Sequence, residues 1–112
     1  MVDDSVDRFF EVLADPTRRQ VVRLLGEGPQ RAGRLAQATG TSSPAMSRHL
    51  RILLSAGVVT DERVADDARV RVFRLRAEPV VAVQAWLDQV QAHWQEQLGA
   101  FKKYVDQTGE TS

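Results

Sequence analysis

In "VDRFFEVLAD" the apolar residues Val6, Phe9, Phe10 and Leu13 recur at helical spacing and predict a first helix from about Asp4 to Ala14. Asp15 reads as a cap for a second helix, "PTRRQVVRLLGEG". Pro16 there takes the first helical position, where its missing N–H costs nothing, and Gly26 or Gly28 ends the run. Val21, Val22, Leu24 and Leu25 form the inner face of that helix. A short third helix, "RAGRLAQAT", turns Leu35 and Ala36 inward, and Gly40 is placed to adopt the left-handed conformation that ends it.

A fourth helix follows from Ser43, read as its cap, through Pro44 to about Ala56, where Gly57 stops it. Met46, Leu50, Leu53 and Leu54 make one stripe of this helix, and Pro44, Ser47, Arg48, Arg51 and Ser55 make the other. Two short helices joined by "ATGTSS" amount to a helix-turn-helix. The period then changes. Val58 to Val64 and Arg69 to Arg76 alternate β-branched or aromatic residues with polar ones, and "ADDA" between them predicts the turn of a two-stranded wing. After Pro79 the helical period returns for nearly thirty residues, through Val80, Val83, Leu87, Val90, Trp94, Leu98, Phe101 and Val105. The expected class is therefore mainly α with a β-hairpin wing and helical elements at both ends. Residues 1–106 make one domain and residues 107–112 a disordered tail.

Composition narrows the function. The 112 residues contain no cysteine, which excludes disulfides, thiolate metal sites and cysteine nucleophiles. No apolar run reaches membrane-spanning length and "MVDDSVDRFF" lacks the features of a signal peptide, so a cytoplasmic protein without a membrane partner is expected. The net charge is zero but segregated: −4 for residues 1–15, +7 for residues 16–76 and −3 for residues 77–112. Such a block pattern gives one face a positive potential within a neutral molecule.

The outward face of the fourth helix fits that potential. No acid occurs from Thr41 to Thr60, whereas a helix that meets only water usually mixes Glu with Lys. A helix entering a DNA major groove needs small hydrogen-bonding groups near its N-terminus and longer cations beyond them. Ser43 and Ser47 supply the first kind, Arg48 and Arg51 the second. Ser43 with Pro44 also suits a plain helix cap, and His49, between the stripes, suits either a phosphate contact or packing. Whether Arg48 and Arg51 read bases or hold phosphates is open at this stage. On the wing Arg69 and Arg71 share a face and are the better contacts, while Asp66 and Asp67 at the tip would repel phosphates.

Taken together, "LADPTRRQVVRLL", "GRLAQATGTSSPAMSRHLRILLSAGVV" and "VRVFRL" resemble the winged helix-turn-helix repressors of the ArsR type over about Phe9 to Leu75. The resemblance implies a homodimer, a reader helix at Ser43 to Ala56, a wing at Val58 to Leu75, and control of transcription, usually repression, at a partly palindromic double-stranded DNA operator. Apolar Phe9, Phe10, Leu87, Val90, Trp94, Leu98 and Phe101 on the first and last helices are the expected dimer seam. The family's metal sites are expected to be absent. The thiolate positions align with Arg31 and Gly33, and although "HWQE" offers His93 and Glu96, the matching partners would be Val80 and Ala82. No cofactor is implied, and the effector is unassigned. Nothing in the sequence has the spacing of a catalytic constellation, so an enzyme is not expected. Two alternatives remain beside the repressor: a winged protein-interaction module, and a repressor controlled by an apolar ligand held between the last and first helices.

Overall fold

The computed structural model describes residues 4–109. Helix α1 spans Asp4–Leu13 and α2 spans Pro16–Glu27. A two-residue strand β1, Gln30–Arg31, leads into α3, Ala32–Thr39, and then α4, Ser43–Ser55. The wing strands are β2, Val59–Val64, and β3, Asp67–Leu75, and one long helix α5 runs over Ala77–Gly109. Helical and strand periods thus fall where the hydrophobic pattern puts them.

Local chemistry explains the boundaries. Asp15 adopts an extended backbone and its Oδ1 accepts from the amides of Thr17 at 2.8 Å and Arg18 at 3.2 Å, two of the donors that a helix start leaves unpaired. Gly28 closes the helix, its N–H donating to the Leu25 carbonyl. Gly40 ends α3 at φ 65°, a conformation costly for any residue with a Cβ. Gly57, at φ 74°, reverses the chain between α4 and β2. The cap of α4 is Ser42, whose Oγ accepts from the Ala45 amide at 3.3 Å. Ser43, expected as the cap, is instead the first helical residue, and Pro44 follows it inside the first turn.

The sheet has three strands in the order β1-β3-β2, all antiparallel, rather than the two read from sequence. Gln30 pairs with Phe73 and Arg31 with Val72, which anchors the start of α3 to the wing. Two residues are too few to show a strand period, so β1 leaves no pattern to read. The β2–β3 turn is also tighter than "ADDA": Val64 pairs with Asp67, leaving Ala65 and Asp66 as the turn.

The core joins α1 to α4, the wing base and the start of α5. Val12, Val21, Leu35, Met46, Leu53, Val58, Val59 and Phe73 are its most enclosed side chains. Phe9, expected on the dimer seam, is only 5% exposed and belongs to this core. Both apolar residues of "FF" suit a helix face, but one turns inward and Phe10 outward. Helix α5 touches the core through Pro79 and Val83 near its start, and beyond Val90 each described residue is exposed. It continues through Gln107, Thr108 and Gly109, part of the segment expected to be disordered; residues 110–112 lie outside the described residues. The molecule is accordingly elongated, 72 × 33 × 20 Å.

Two stability measurements test this account. Leu53 is fully enclosed, so Leu53→Ala is expected to cost about 2–5 kcal/mol in urea unfolding at fixed protein concentration. Burial opposes the ionised form of Asp15, but the Arg18 and Thr17 amides, with the charges of His49 and Arg18, outweigh it and hold the carboxyl below its ordinary value of 3.8. The stabilisation it gives is therefore present above pH 3.8 and lost as pH falls through the lowered folded value. Asp15→Ala is expected to cost about 0.5–2 kcal/mol at neutral pH, and its deficit against the parent should shrink in acid below about pH 4. A deficit independent of pH would mean that the charge of Asp15 contributes nothing.

Candidate nucleic-acid interface

With Met46, Leu50 and Leu53 buried and Leu54 half-buried, the opposite side of α4 is presented outward. Ser43, Pro44, Ser47, Arg48, Arg51 and Ser55 are all exposed. Because Ser42 takes over capping, the hydroxyl of Ser43 is left for an outside partner. Ile52, exposed at 45%, adds one apolar group to the side that faces α1.

His49 does not share that outward face. It is half-buried, and a guanidinium nitrogen of Arg18 lies 3.4 Å from its Nδ1. Arg18 is itself held by Nε to the Val12 carbonyl at 3.0 Å and lies 4.0 Å from the Asp15 carboxylate. Of the two uses the sequence allows for His49, the geometry is that of packing: it ties α4 to the start of α2.

The wing arginines carry partners of their own. Arg71 Nε donates to Asp61 Oδ2 at 2.6 Å, and its guanidinium lies 5.1 Å from the centre of the Phe73 ring. Arg71 stands opposite Arg63 in the ladder, so the diagonal bond to Asp61 sets a carboxylate against two like charges. Arg74 Nε donates to Glu62 Oε1 at 2.8 Å on the other face. Arg69, almost wholly exposed, meets Asp67 Oδ1 at 3.3 Å, and that same oxygen accepts from the Arg69 amide. Asp66 is exposed at the tip. Arg69 and Arg71 share the face of Phe73, which packs toward the helices, and this brings them beside α4.

Three adjoining grooves cross this side. The first lies between α4 and the wing and includes Ser47, Leu54, Arg51, Arg69 and Arg71. A second, between α1 and α4, is lined by Arg8, Glu11, Arg48, Arg51, Ile52 and Ser55. The third, beside the start of α3, is lined by Arg31, Gly33, Arg34, Gln37, Arg69 and Arg71. Seven arginines border the three together, against the single acid Glu11. Sequence reasoning missed Arg8, Arg31 and Arg34 as members of this surface. The +7 block contains the last two, but a charge sum carries no direction, and Arg8 sits within the acidic block.

The seam residues lie elsewhere. Phe10 meets Trp86 edge to face, ring centres 5.3 Å apart, so the first and last helices touch directly. Leu87 is exposed and Val90 half-buried, while Trp94, Leu98 and Phe101 are 62 to 65% exposed. His93 and Glu96 sit on exposed α5 surface, and among the described residues no three His, Cys, Asp or Glu side chains gather to hold a metal. Among those residues no helix is long and apolar enough to cross a membrane.

Comparison with known proteins gives this arrangement a lineage. Residues 13–62, from the end of α1 into β2, match the helix-turn-helix domain family. The HTH-type transcriptional regulator Rv2034 of Mycobacterium tuberculosis is 34% identical over 106 residues, covering 95% of this chain and 94% of that protein. The crystal structure of an ArsR family transcriptional regulator superposes with a TM-score of 0.69 at 33% identity, over 81% of this chain and 97% of that one. A homodimeric winged helix-turn-helix DNA-binding domain from Mycobacterium bovis, a possible ArsR-family regulator, has a TM-score of 0.61 at 29% identity over 85% of this chain and 82% of its own. With relatedness over nearly its whole length added to the helix-turn-helix and wing, the chain belongs to the ArsR-type family of winged helix-turn-helix transcriptional regulators.

Proposed function

We propose that this protein is a homodimeric, sequence-specific DNA-binding repressor, acting in the cytoplasm on a partly palindromic operator, with α4 laid in the major groove of each half-site. The observation that carries the reading is the outward face of α4. It is exposed, bears Arg48 and Arg51 and no acid, and among the described residues neither guanidinium has an ion pair or hydrogen bond. Ser43 and Ser47 sit near the N-terminal end of the helix, where base edges come closest, with Arg48 and Arg51 reaching further. His49 acts in this scheme by fixing α4 to α2, and Arg69 and Arg71 flank the helix from the wing. The work is binding rather than catalysis, and the effector is left unassigned.

The dimer supplies the second half-site. Relatives named as repressors, such as SdpR of Bacillus subtilis at 40% identity over 58 residues, and the homodimeric state of the Mycobacterium bovis domain support it by analogy. Within this chain the support is the apolar surface of Leu87, Trp94, Leu98 and Phe101, extended by Phe10, more than a monomer of this size leaves in water. Two-fold symmetry would set the α4 helices about one DNA turn, roughly 34 Å, apart.

Two experiments test the reading. Arg48→Ala and Arg51→Ala are expected to lose specific operator binding with fold and dimer intact. Loss of a bidentate base contact should cost about 1–3 kcal/mol and relax preference at one base, whereas loss of a phosphate contact should weaken all duplexes alike. Operator affinity equal to the parent in both variants would put the wrong face in the groove and favour a protein-interaction module. Sedimentation at micromolar concentration is expected to show a dimer, and Trp94→Asp with Leu98→Asp to shift it to monomer; a parent that sediments only as monomer rejects the seam.

A further inference from the structure

Asp61 and Arg71 stand on one face of the wing. In the β2–β3 ladder Asp61 is opposite Phe73 and Arg63 opposite Arg71, so Asp61 and Arg71 meet on the diagonal. Arg71 Nε donates to Asp61 Oδ2 at 2.6 Å and its Nη2 contacts the same oxygen, while the guanidinium carbon lies over the Phe73 ring, 5.1 Å from its centre. One edge of the guanidinium is thereby taken from within the hairpin, and one face is supported. Nη1 is left over, and among the described residues no hydrogen bond or ion pair engages it. The Asp61 side chain is 28% exposed against 43% for Arg71, so the carboxylate is the more covered of the two.

The held group borders the groove between α4 and the wing, a space of about 390 Å³ that also takes in Ser47 and Arg51 of the reader helix. Arg69 reaches the same groove from the same face, but its carboxylate neighbour, Asp67, lies only two residues away on its own strand. Arg71 alone of these two is tied both to the opposite strand and to a buried ring, and so has a set position relative to α4.

An exposed ion pair of this kind adds little to stability, so its effect falls on recognition. A free guanidinium finds a phosphate on any duplex and strengthens all sequences alike. One that is already fixed loses that reach, yet it incurs no ordering cost where an acceptor lies in its path. We propose that Asp61 is a positioning residue for sequence discrimination: by holding Arg71 against Phe73 it withdraws that guanidinium from general phosphate contact and reserves it for acceptors beside the bases met by Ser47 and Arg51. This inference rests on the reading of α4 as the groove helix. It divides the work of the basic surface, with Arg48 and Arg51 supplying affinity and a restrained Arg71 supplying selectivity.

The test compares two duplexes of equal length across a salt series: the tightest binder that the parent selects from a randomised pool, and a random sequence. The pair is exposed, so each variant is expected to fold like the parent. Asp61→Asn, which removes the charge and keeps the shape, should raise affinity for the random duplex and steepen its slope of log affinity against log salt by about 0.9 per protomer, one freed phosphate contact. The selected-to-random ratio should fall by about two- to tenfold per half-site, the ordering cost of one long side chain. Asp61→Glu, which restores a carboxylate, should return both quantities toward the parent. In an Arg71→Ala background Asp61→Asn should leave the ratio unchanged, because the acid acts through that arginine. An equal gain on both duplexes, or the same fall in ratio with Arg71 absent, would reduce Asp61 to a repulsive charge and overturn the proposal. Arg48→Ala keeps the two readings apart: if it loses the selected duplex while Asp61→Asn leaves the ratio intact, only the positioning role falls, and if it binds like the parent, the reading of α4 falls as well.

Discussion

The insertion of Met46, Leu50 and Leu53 into the space between α2, α3 and β2 fixes the rotation of α4, and the outward surface depends on it. A helix turns about 100° per residue, so once those three are inside, Pro44, Arg48, Arg51 and Ser55 have no choice but to face out. Rotation by one residue would bury Ser47 or Arg51 and expose Leu50. Both ends of α4 are secured in the same sense. Ser42 caps the start, and at the far end Val58 donates to the Leu53 carbonyl at 3.0 Å while its own carbonyl accepts from Arg76 at 2.9 Å. The wing is thereby stitched to the helix that it flanks, and His49 braces the helix from the α2 side.

What could be read from the chain follows from which forces are periodic. Helices, wing strands and the inner stripe of α4 were legible because burial repeats at 3.6 or 2 residues, and Gly40 and Asp15 because a left-handed residue and a cap each demand particular side chains. Three features were not. Strand β1 is too short to show a period, and it forms because β3 presents an edge to it. Ser42 and Ser43 are chemically equivalent caps, and only the path of the chain into α4 chooses between them. Phe9 and Phe10 are equally apolar neighbours, and helix rotation sends one to the core and the other toward Trp86. For the interface, the residues of α4 were legible from one helix alone, whereas Arg8, Arg31 and Arg34 join it by tertiary placement.

The wing shows why a count of basic residues misjudges a surface. By sequence it is rich in arginine, yet Arg69, Arg71 and Arg74 each have a carboxylate neighbour within the hairpin. These exposed pairs add little stability in water, about 0–1 kcal/mol each, but they shape the field by placing negative charge beside the positive. Two of the pairs, Arg71–Asp61 and Arg74–Glu62, cross from strand to strand and orient their guanidinium groups. The positive potential of this side is consequently concentrated on α4 and α3, where arginines stand without acids.

Helix α5 places a different demand on the molecule. At 33 residues it rises about 50 Å, and past Val90 it has no cover from its own protomer. An isolated helix is marginal in water even when its sequence favours it, and this one also holds Trp94, Leu98, Phe101 and Tyr104 more than 60% exposed. Full burial of such a side chain is worth about 1.5–3 kcal/mol, so an apolar partner surface would steady the helix and cover the stripe together. Two copies joined along α5 would also present two basic faces to one duplex, so that once the first is bound the second contact is intramolecular. Dimerisation and DNA binding would then be thermodynamically linked: a duplex that holds both faces tightens the seam, and a tighter seam raises the affinity for the duplex by the same factor.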